Sequence, residues 1–433
     1  MKKYFLFLII CGSIMSCRKT DIFEDKKVKE FIVIDKPQES NENYFSSINK
    51  TTSYYWEYKN YDRGQYYDVL ATCLPQIQLR TSGRTTSNAN VQLDYDKDGL
   101  MDIVIQSTNF DQVWDDTVYI FHNDGGGKYS IAKTFVSKIE QGRRAIVNDF
   151  DNNGYPDVII VGTPGERPTV PMNMNDPNRI QKPFLIKFYN NNVTGEDLDF
   201  SGYYHTITSG DINGDGYPDI IVPNSITSSR PIEVGLNNGD GTFRKTYYDY
   251  ASDVLERTWV ELFDIDGDNK LDFFLAPKGD NKTRIYNSNG TIDYLPDIVD
   301  FGITYSFQFN DFNKDGKYDL ILNRVKHQNN PYGGYKLQFL TKENGVYTDV
   351  TSNITQTPWI SLIGDKSNPP LWFDYLDQID VNNDGFRDLV AGRGSYAWGS
   401  PTGGPSSFMI PVWIWDNSNK KYNGTYYEIK RQY

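Results

Sequence analysis

A nine-residue acidic motif, D-x-[DN]-x-[DN]-[GN]-x-x-D, occurs six times in this chain of 433 residues and constrains its fold more than any other feature. Successive copies begin 47 to 69 residues apart, and each runs directly into a short apolar segment. A recurring period of this kind is the sequence signature of a repeat architecture. The apolar segments predict a β-strand after every copy. The six copies begin at Asp94, Asp149, Asp211, Asp264, Asp311 and Asp380.

The spacing inside the motif predicts a metal-binding loop. Side chains at positions 1, 3 and 5 converge when the chain curls tightly, and glycine at position 6 permits that curl because it adopts positive φ without penalty. Asn269 replaces this glycine in the fourth copy, and asparagine tolerates the left-handed region well. The ligands are hard oxygens, so the predicted cofactor is Ca²⁺, in about six structural sites. The predicted ligands are Asp94, Asp96, Asp98, Asp149, Asp151, Asn153, Asp211, Asn213, Asp215, Asp264, Asp266, Asp268, Asp311, Asn313, Asp315, Asp380, Asn382 and Asp384.

Each repeat carries three further strand-like segments. One precedes the acidic loop, as at residues 144–147, and two flank an Asn/Gly turn after it, as at residues 118–129. One unit is therefore four strands, A to D, with the acidic loop between A and B. Tandem four-stranded units of roughly 45–60 residues predict an all-β fold, a β-propeller. Residues 31–87 have the length of one more repeat without an acidic loop, so we expect seven blades, six of them with calcium loops; six blades plus an N-terminal cap is the alternative.

The combination of acidic loop and following turn resembles the FG-GAP/VCBS repeat, which is related to the propeller of integrin α-chains, over residues 88–433. The resemblance implies Ca²⁺ bound by side chains at positions 1, 3, 5 and 9 and by the backbone carbonyl at position 7. The implied ligands at position 9 are Asp102, Asp157, Asp219, Asp272, Asp319 and Asp388. The implied carbonyl donors are Leu100, Tyr155, Tyr217, Lys270, Lys317 and Phe386.

The N-terminus has the pattern of a lipoprotein signal peptide. Two lysines precede an apolar run at residues 4–15, which is shorter than the roughly 20 residues of a membrane span. Residues 14–17, Ile-Met-Ser-Cys, resemble a bacterial lipobox. We therefore predict a signal peptide over 1–16, cleavage before Cys17, lipidation of Cys17 and a charged tether over 17–30. Lipobox and repeat together resemble a cell-envelope lipoprotein of the Bacteroidota type, held in the outer membrane by its lipid alone; an ordinary signal peptide is the alternative.

The acidic composition disfavours one class of partner. The chain has 57 acidic and 44 basic residues and a formal net charge of −13, which repels phosphate backbones, so we expect no nucleic-acid partner. Six bound Ca²⁺ ions would neutralise most of this charge, so the acidic excess is interpreted as a metal requirement. We expect a monomer.

Strand alternation predicts two different faces. The acidic loops and C–D turns share one face, and the long connections share the other, where binding residues concentrate. Aromatic side chains there suit a sugar ring, and arginines suit carboxylate or sulfate groups; the alternative is that the aromatics only pack the loops. The candidate ligand residues are Trp114, Arg167, Arg230, Arg324, Tyr332, Trp359, Arg393 and Trp398. His122 is predicted to lie at a turn and His205 in a strand, neither with a catalytic role.

The chain contains no G-x-S-x-G, H-E-x-x-H or Walker A motif, and no catalytic residue is predicted. The favoured function is therefore a calcium-stabilised cell-envelope lipoprotein that is a non-enzymatic binding module for an extracellular ligand, with a glycan favoured. A carbohydrate-active enzyme, either a polysaccharide lyase or a glycosidase with its site on the long-loop face, is the first alternative, because such sites leave no linear motif. An adhesion or protein-interaction propeller is the second.

Overall fold

The computed structural model describes residues 85–109, 117–125, 128–164, 180–224, 232–248, 257–277, 283–312, 317–326, 334–359, 373–379, 384, 386–394 and 407–430. Within these ranges the chain is all-β, with 24 strands in six four-stranded antiparallel sheets and one short helix, α1 (Thr351–Ile354). No helix in this part of the chain is long and apolar enough to cross a membrane. The predicted signal peptide, the Cys17 lipidation site, the tether and nearly all of the segment 31–87 lie outside the described residues.

The six sheets follow one another along the chain. The first contains β1 (Thr85–Leu93), β2 (Asp102–Asn109), β3 (Thr117–Gly125) and β4 (Lys128–Val136), and the second β5 (Gln141–Asn148), β6 (Asp157–Thr163), β7 (Phe184–Tyr189) and β8 (Asn192–Asp197). The third contains β9 (Thr208–Gly210), β10 (Asp219–Val222), β11 (Ile232–Asn237) and β12 (Phe243–Tyr248), and the fourth β13 (Arg257–Phe263), β14 (Asp272–Pro277), β15 (Arg284–Tyr286) and β16 (Ile292–Tyr294). The fifth contains β17 (Ile303–Asn310), β18 (Asp319–Val325), β19 (Tyr335–Glu343) and β20 (Val346–Asp349), and the sixth β21 (Phe373–Ile379), β22 (Asp388–Gly394), β23 (Ser407–Asp416) and β24 (Lys421–Lys430).

Every sheet is an antiparallel meander in which each strand pairs with the next one in sequence. The acidic motif forms the turn between the first and second strands, and the second strand begins at the position-9 aspartate. The four-strand unit predicted from the repeat is therefore confirmed in all six sheets. The second strand reads as a continuous apolar run because both of its faces are buried, as β6 shows along its whole length.

Consecutive sheets pack face to face. The first strands of neighbouring sheets contact one another in the order β1, β5, β9, β13, β17 and β21. Five hydrophobic clusters fill the five interfaces between consecutive sheets. In β6, Val158 and Ile160 pack toward the first sheet, whereas Ile159 and Val161 pack toward the third. The fourth strands are the most exposed, as the alternating pattern of β8 shows, so each sheet is buried at its first strand and open at its last. This stacking is propeller-like.

Candidate metal centres

The four acidic loops that the structure describes in full adopt the curled backbone that the motif predicts. Position 6 has positive φ, with values of 88° at Gly99, 85° at Gly154, 92° at Gly216 and 66° at Asn269. A Cβ atom added at Gly99 would meet nothing within 4 Å, so the backbone angle and not crowding explains glycine there.

Position 4 of the loop also has positive φ, which the motif does not reveal. The residues at this position are chemically unlike one another, so the sequence shows no pattern there. They are Lys97 (φ 64°), Asn152 (φ 56°), Gly214 (φ 78°) and Gly267 (φ 80°). Each of these four loops therefore contains two left-handed residues, which turn the chain around its own carboxylates.

Side-chain oxygens hold the curl through backbone N–H groups. In the second loop, Asp149 accepts hydrogen bonds from the N–H of Asn153 (3.0 Å) and of Gly154 (2.8 Å). The Asn153 side-chain oxygen accepts one from the N–H of Tyr155 (2.7 Å). The first, third and fourth loops repeat these three bonds at the same positions.

The curl brings carboxylates together in three of the loops. The side chains at positions 1, 3 and 9 each offer one oxygen, and these oxygens lie within 4.8 Å of one another. The groups are Asp94, Asp96 and Asp102; Asp149, Asp151 and Asp157; and Asp264, Asp266 and Asp272. The third loop has Asn213 at position 3, and its amide Nδ2 donates to Asp215 (2.8 Å). Residues 313–316, 380–383 and 385 of the last two loops lie outside the described part of the chain.

The position-9 aspartate ties the loop to the third strand of its sheet. Asp157 is fully buried; its Oδ2 accepts from the N–H of Phe150 (2.9 Å) in the loop, and its Oδ1 accepts from the N–H of Phe188 (3.0 Å) in β7. The same contact recurs at 2.8 Å in four other sheets: the N–H of Asn123, Asn237 and Trp415 in the third strands donates to Asp102, Asp219 and Asp388, and the N–H of Ser288, just after the third strand, donates to Asp272. This second role of position 9 adds to the ligand role that the family resemblance implies.

Burial makes these carboxylates costly to ionise. Desolvation, reinforced by the neighbouring charge of Asp151, raises the pKa of Asp157 to about 8, and desolvation raises the pKa of Asp102 to about 7. The pKa values of Asp219 and Asp272 rise to about 6 for the same main reason. A divalent cation among the oxygens would supply the missing counter-charge. A buried, all-oxygen donor set with excess negative charge fits a hard cation, which positions 1, 3 and 9 would hold.

The first loop has an additional neighbour, His122. Its Nε2 atom lies 3.1 Å from Oδ2 of Asp96 and 3.7 Å from Oδ2 of Asp98, and its Nδ1 atom lies 3.0 Å from Oδ1 of Asp124. The hydrogen bond with Asp124 is the main cause of a raised pKa at His122. His122 lies within β3, so the turn predicted for it is wrong; it stands just before Asn123, whose N–H contacts the position-9 aspartate. This contact has the same register in four other sheets, so an alignment of the repeats on that register would have identified His122 from the sequence.

The candidate residues of the long-loop face have different surroundings from those expected. Arg324 was expected in a long connection, but this is wrong: it lies inside β18 and is fully buried. Its guanidinium donates to Thr283 and Pro296, which flank strands of the fourth sheet, and to Thr304 in β17 of the fifth. Trp359 packs, partly buried, against the core between the fifth and sixth sheets. Arg393 lies in β22. The other candidates, Trp114, Arg167, Arg230, Tyr332 and Trp398, lie outside the described residues.

His205 also differs from its predicted place. It lies in a bend before β9, which begins only at Thr208, so the strand prediction for it is wrong. Its ring packs against Tyr203, with ring centroids 5.1 Å apart.

These features define a class: an all-β repeat protein whose sheets each carry an acidic turn loop, three of which gather carboxylates able to hold a metal ion. Two segments, residues 94–160 and 211–275, match the family model described as FG-GAP-like repeat. The chain therefore contains FG-GAP-like repeats in these two segments.

No curated protein matches the chain. Among solved structures, it is similar to the biofilm matrix protein Bap1 of V. cholerae, with 15% identity and a TM-score of 0.36 over 62% of this chain and 40% of that one. It is also similar to the rhamnogalacturonan lyase PL11 of Bacillus licheniformis, with 14% identity and a TM-score of 0.42 over 79% of this chain and 64% of that one. The chain thus spans less than two thirds of the length of either structure.

Proposed function

We propose that the chain is a calcium-stabilised β-propeller in which each of the six acidic loops binds one structural Ca²⁺ ion. The observation that carries this proposal is the convergence of carboxylates at positions 1, 3 and 9 on the same curled backbone in three loops. Carboxylate and backbone oxygens are the ligands that Ca²⁺ takes in proteins. Residues 31–87 supply either a seventh blade or an N-terminal cap.

Thermal unfolding with and without Ca²⁺ tests this proposal. An ion that binds only the folded chain at 100 times its Kd adds about 2.7 kcal/mol of stability for each site. We expect a melting temperature that rises with Ca²⁺ concentration and falls when a chelator is added. Mg²⁺ at the same concentration is the control, and it should have a smaller effect because it prefers fewer protein ligands and more water. A melting temperature that ignores both Ca²⁺ and chelator would contradict the metal assignment.

We further propose that the edge opposite the acidic loops binds an extracellular glycan. In the described topology, the acidic loops and the third-to-fourth strand turns share one edge of each sheet, and the remaining connections leave from the other edge. The longer of these connections carry aromatic and basic residues suited to sugar rings and their acidic substituents, at Trp114, Arg167, Arg230, Tyr332 and Trp398. A carbohydrate-active enzyme at that edge and a protein-binding adhesion module are the competing functions.

A glycan array combined with product analysis separates the three functions. Binding without cleavage supports the binding module, and new reducing ends or unsaturated products support an enzyme. If the chain neither binds nor cleaves a glycan, the adhesion function remains. Trp114→Ala and Trp398→Ala should each lower glycan affinity at least tenfold, because each variant loses the contact between an indole ring and a sugar ring. Arg244→Ala, an exposed position on β12, is the matched control. Affinity that is unchanged in both tryptophan variants would contradict this edge as the binding site.

We also propose that the chain is a lipoprotein anchored in the outer membrane through Cys17. The support is the sequence alone: the short apolar run and the lipobox-like residues before that cysteine. In cells fed a labelled fatty acid, the wild-type chain should take up label. Cys17→Ser should lose the label, and Cys11→Ser, which alters the other cysteine of the segment, should keep it. Equal labelling of both variants would refute Cys17 as the anchor.

A further inference from the structure

Among the four acidic loops that the structure describes in full, the first differs in having an imidazole beside its carboxylates. We propose that Asp96, Asp98 and His122 form a second metal centre, selective for a transition-metal dication of the Zn²⁺ class. Their ligand atoms lie within 4.8 Å of one another; Asp96 is shared with the calcium-type group of the same loop, and Asp98 is a predicted calcium ligand at position 5, so the two centres would be bridged by these carboxylates. This centre goes beyond the proposed function, because Ca²⁺ binding in the loops and glycan binding at the opposite edge do not require it.

The distances match those between two ligands on one small metal ion. Donor atoms at about 2.0–2.2 Å from a tetrahedral Zn²⁺ ion are about 3.3 Å apart. His122 Nε2 lies 3.1 Å from Oδ2 of Asp96 and 3.7 Å from Oδ2 of Asp98, so the measured separations bracket that value. The Asp98 side chain is 36% exposed, so it has room to move closer to Nε2 of His122.

The imidazole is oriented as a metal ligand. Oδ1 of Asp124 holds Nδ1 of His122 at 3.0 Å, and the hydroxyl of Ser130 donates to that same Oδ1 at 3.0 Å. A carboxylate on one ring nitrogen directs the proton there and leaves the lone pair of the other nitrogen free for a metal. That other nitrogen, Nε2, faces Asp96 and Asp98. The His122 side chain is 28% exposed, so water can complete the coordination.

The register of the repeats shows that this feature belongs to the first sheet. His122 is the residue just before the third-strand N–H that contacts position 9. The residues in the same register of four other sheets are Lys187, Leu236, Asn287 and Ile414, and none of them has an imidazole or a thiol. Imidazole nitrogen favours Zn²⁺ and its neighbours in the transition series, whereas Ca²⁺ takes oxygen ligands. The loops therefore share their calcium ligands, but one of them has a ligand for a second class of metal.

Metal titration of the full chain tests the second centre. With Ca²⁺ in excess, Zn²⁺ is titrated by calorimetry, and Co²⁺ absorption reports nitrogen coordination. We expect one Zn²⁺ per chain at a site that His122→Asn weakens at least tenfold. Asp124→Asn, which leaves all three ligands in place, should weaken it about 10–100-fold, as loss of the partner that orients a ligating histidine does. His205→Asn is the matched control and should bind Zn²⁺ like the wild type.

The melting temperature in Ca²⁺ is recorded for every variant, so that a loss of Zn²⁺ binding can be distinguished from a loss of folding. Should His122→Asn fail to fold, Asp124→Asn provides the same comparison. Absence of stoichiometric Zn²⁺ binding by the wild type, or equal binding by His122→Asn and His205→Asn, overturns the second centre, and the contacts of His122 are then ion pairs only. A Ca²⁺-dependent rise in melting temperature that survives in His122→Asn leaves the proposed function standing in either case. Zn²⁺ binding without any Ca²⁺ effect would instead refute the proposed function alone.

Discussion

Replacing Arg324 tests whether this side chain stabilises the core or binds a ligand. Its guanidinium is fully buried where the fourth and fifth sheets meet. Nε donates to Oε1 of Gln338 (2.8 Å), Nη1 to the hydroxyls of Thr283 (2.9 Å) and Thr304 (2.8 Å), and Nη2 to the carbonyl of Pro296 (2.8 Å). Burial lowers the pKa of Arg324 to about 10, so the group still carries its charge at neutral pH.

The loss in free energy of unfolding for each Arg324 variant depends on which former partners of the guanidinium keep another hydrogen bond. The Pro296 carbonyl still accepts from Nε2 of Gln338 (3.1 Å), and the hydroxyls of Thr283 and Thr304 still lie 3.1 Å apart. Oε1 of Gln338 loses its donor. One buried acceptor without a donor costs about 1–3 kcal/mol, which is the expected loss for Arg324→Met, where the side-chain volume is largely kept. Arg324→Ala also opens a cavity and should cost about 3–5 kcal/mol or more in total.

Denaturant unfolding in saturating Ca²⁺ measures these losses, with Arg244→Ala as the exposed control, expected within about 0.5 kcal/mol of the wild type. The order of stability should be wild type, then Arg324→Met, then Arg324→Ala. Any glycan affinity, measured per folded molecule, should not change in Arg324→Met. Wild-type stability of Arg324→Ala together with lost glycan affinity would refute the buried position and support an exposed ligand role.

Three further predictions follow from the described contacts. Asn269→Gly should retain wild-type stability in thermal unfolding, and Asn269→Val should lose about 1–2 kcal/mol, because φ is 66° at this position. Glu261→Leu leaves the buried guanidinium of Arg144 without the carboxylate 2.8 Å away and should cost about 3–5 kcal/mol by denaturant titration. In chelator, stability should fall as pH rises from about 4 to about 8: the pKa of Asp157 is about 8 in the folded chain against 3.8 ordinarily, so the folded state binds more protons across that window. Stability that rises across it would contradict the raised pKa.

The sequence predicted what depends on local spacing. The positive φ at Gly154 and the strand that follows Asp157 both come from residues within one loop and one apolar run. The exposure predicted for Arg324 was wrong because two of its partners, Thr283 and Pro296, lie beside the strands of the preceding sheet, 41 and 28 residues away in sequence. Polar residues at the end of an apolar run look alike in sequence whether they begin a loop or complete a buried contact.

The environment of His122 shows a second limit of the same kind. The residue stands 24 positions after Asp98, and only the pairing of β2 with β3 brings the two together. When the third strands are aligned on the contact to position 9, the first sheet has a histidine where other sheets have Lys187 or Leu236. The sequence therefore shows the residue type of His122, but it does not show the register that places the third strand beside the acidic loop.

The two roles of the position-9 aspartate link metal binding to the rest of the sheet. In the second loop, Oδ2 of Asp157 holds the turn through Phe150, and Oδ1 holds β7 through Phe188. Without a cation, burial favours the protonated form, whose hydrogen bonds to N–H groups are weaker than those of a carboxylate. Under the proposed calcium loading, the ion would keep Asp157 ionised and strengthen both bonds together. Ca²⁺ should therefore slow amide exchange at Phe188, a residue outside the loop, as well as within the loop.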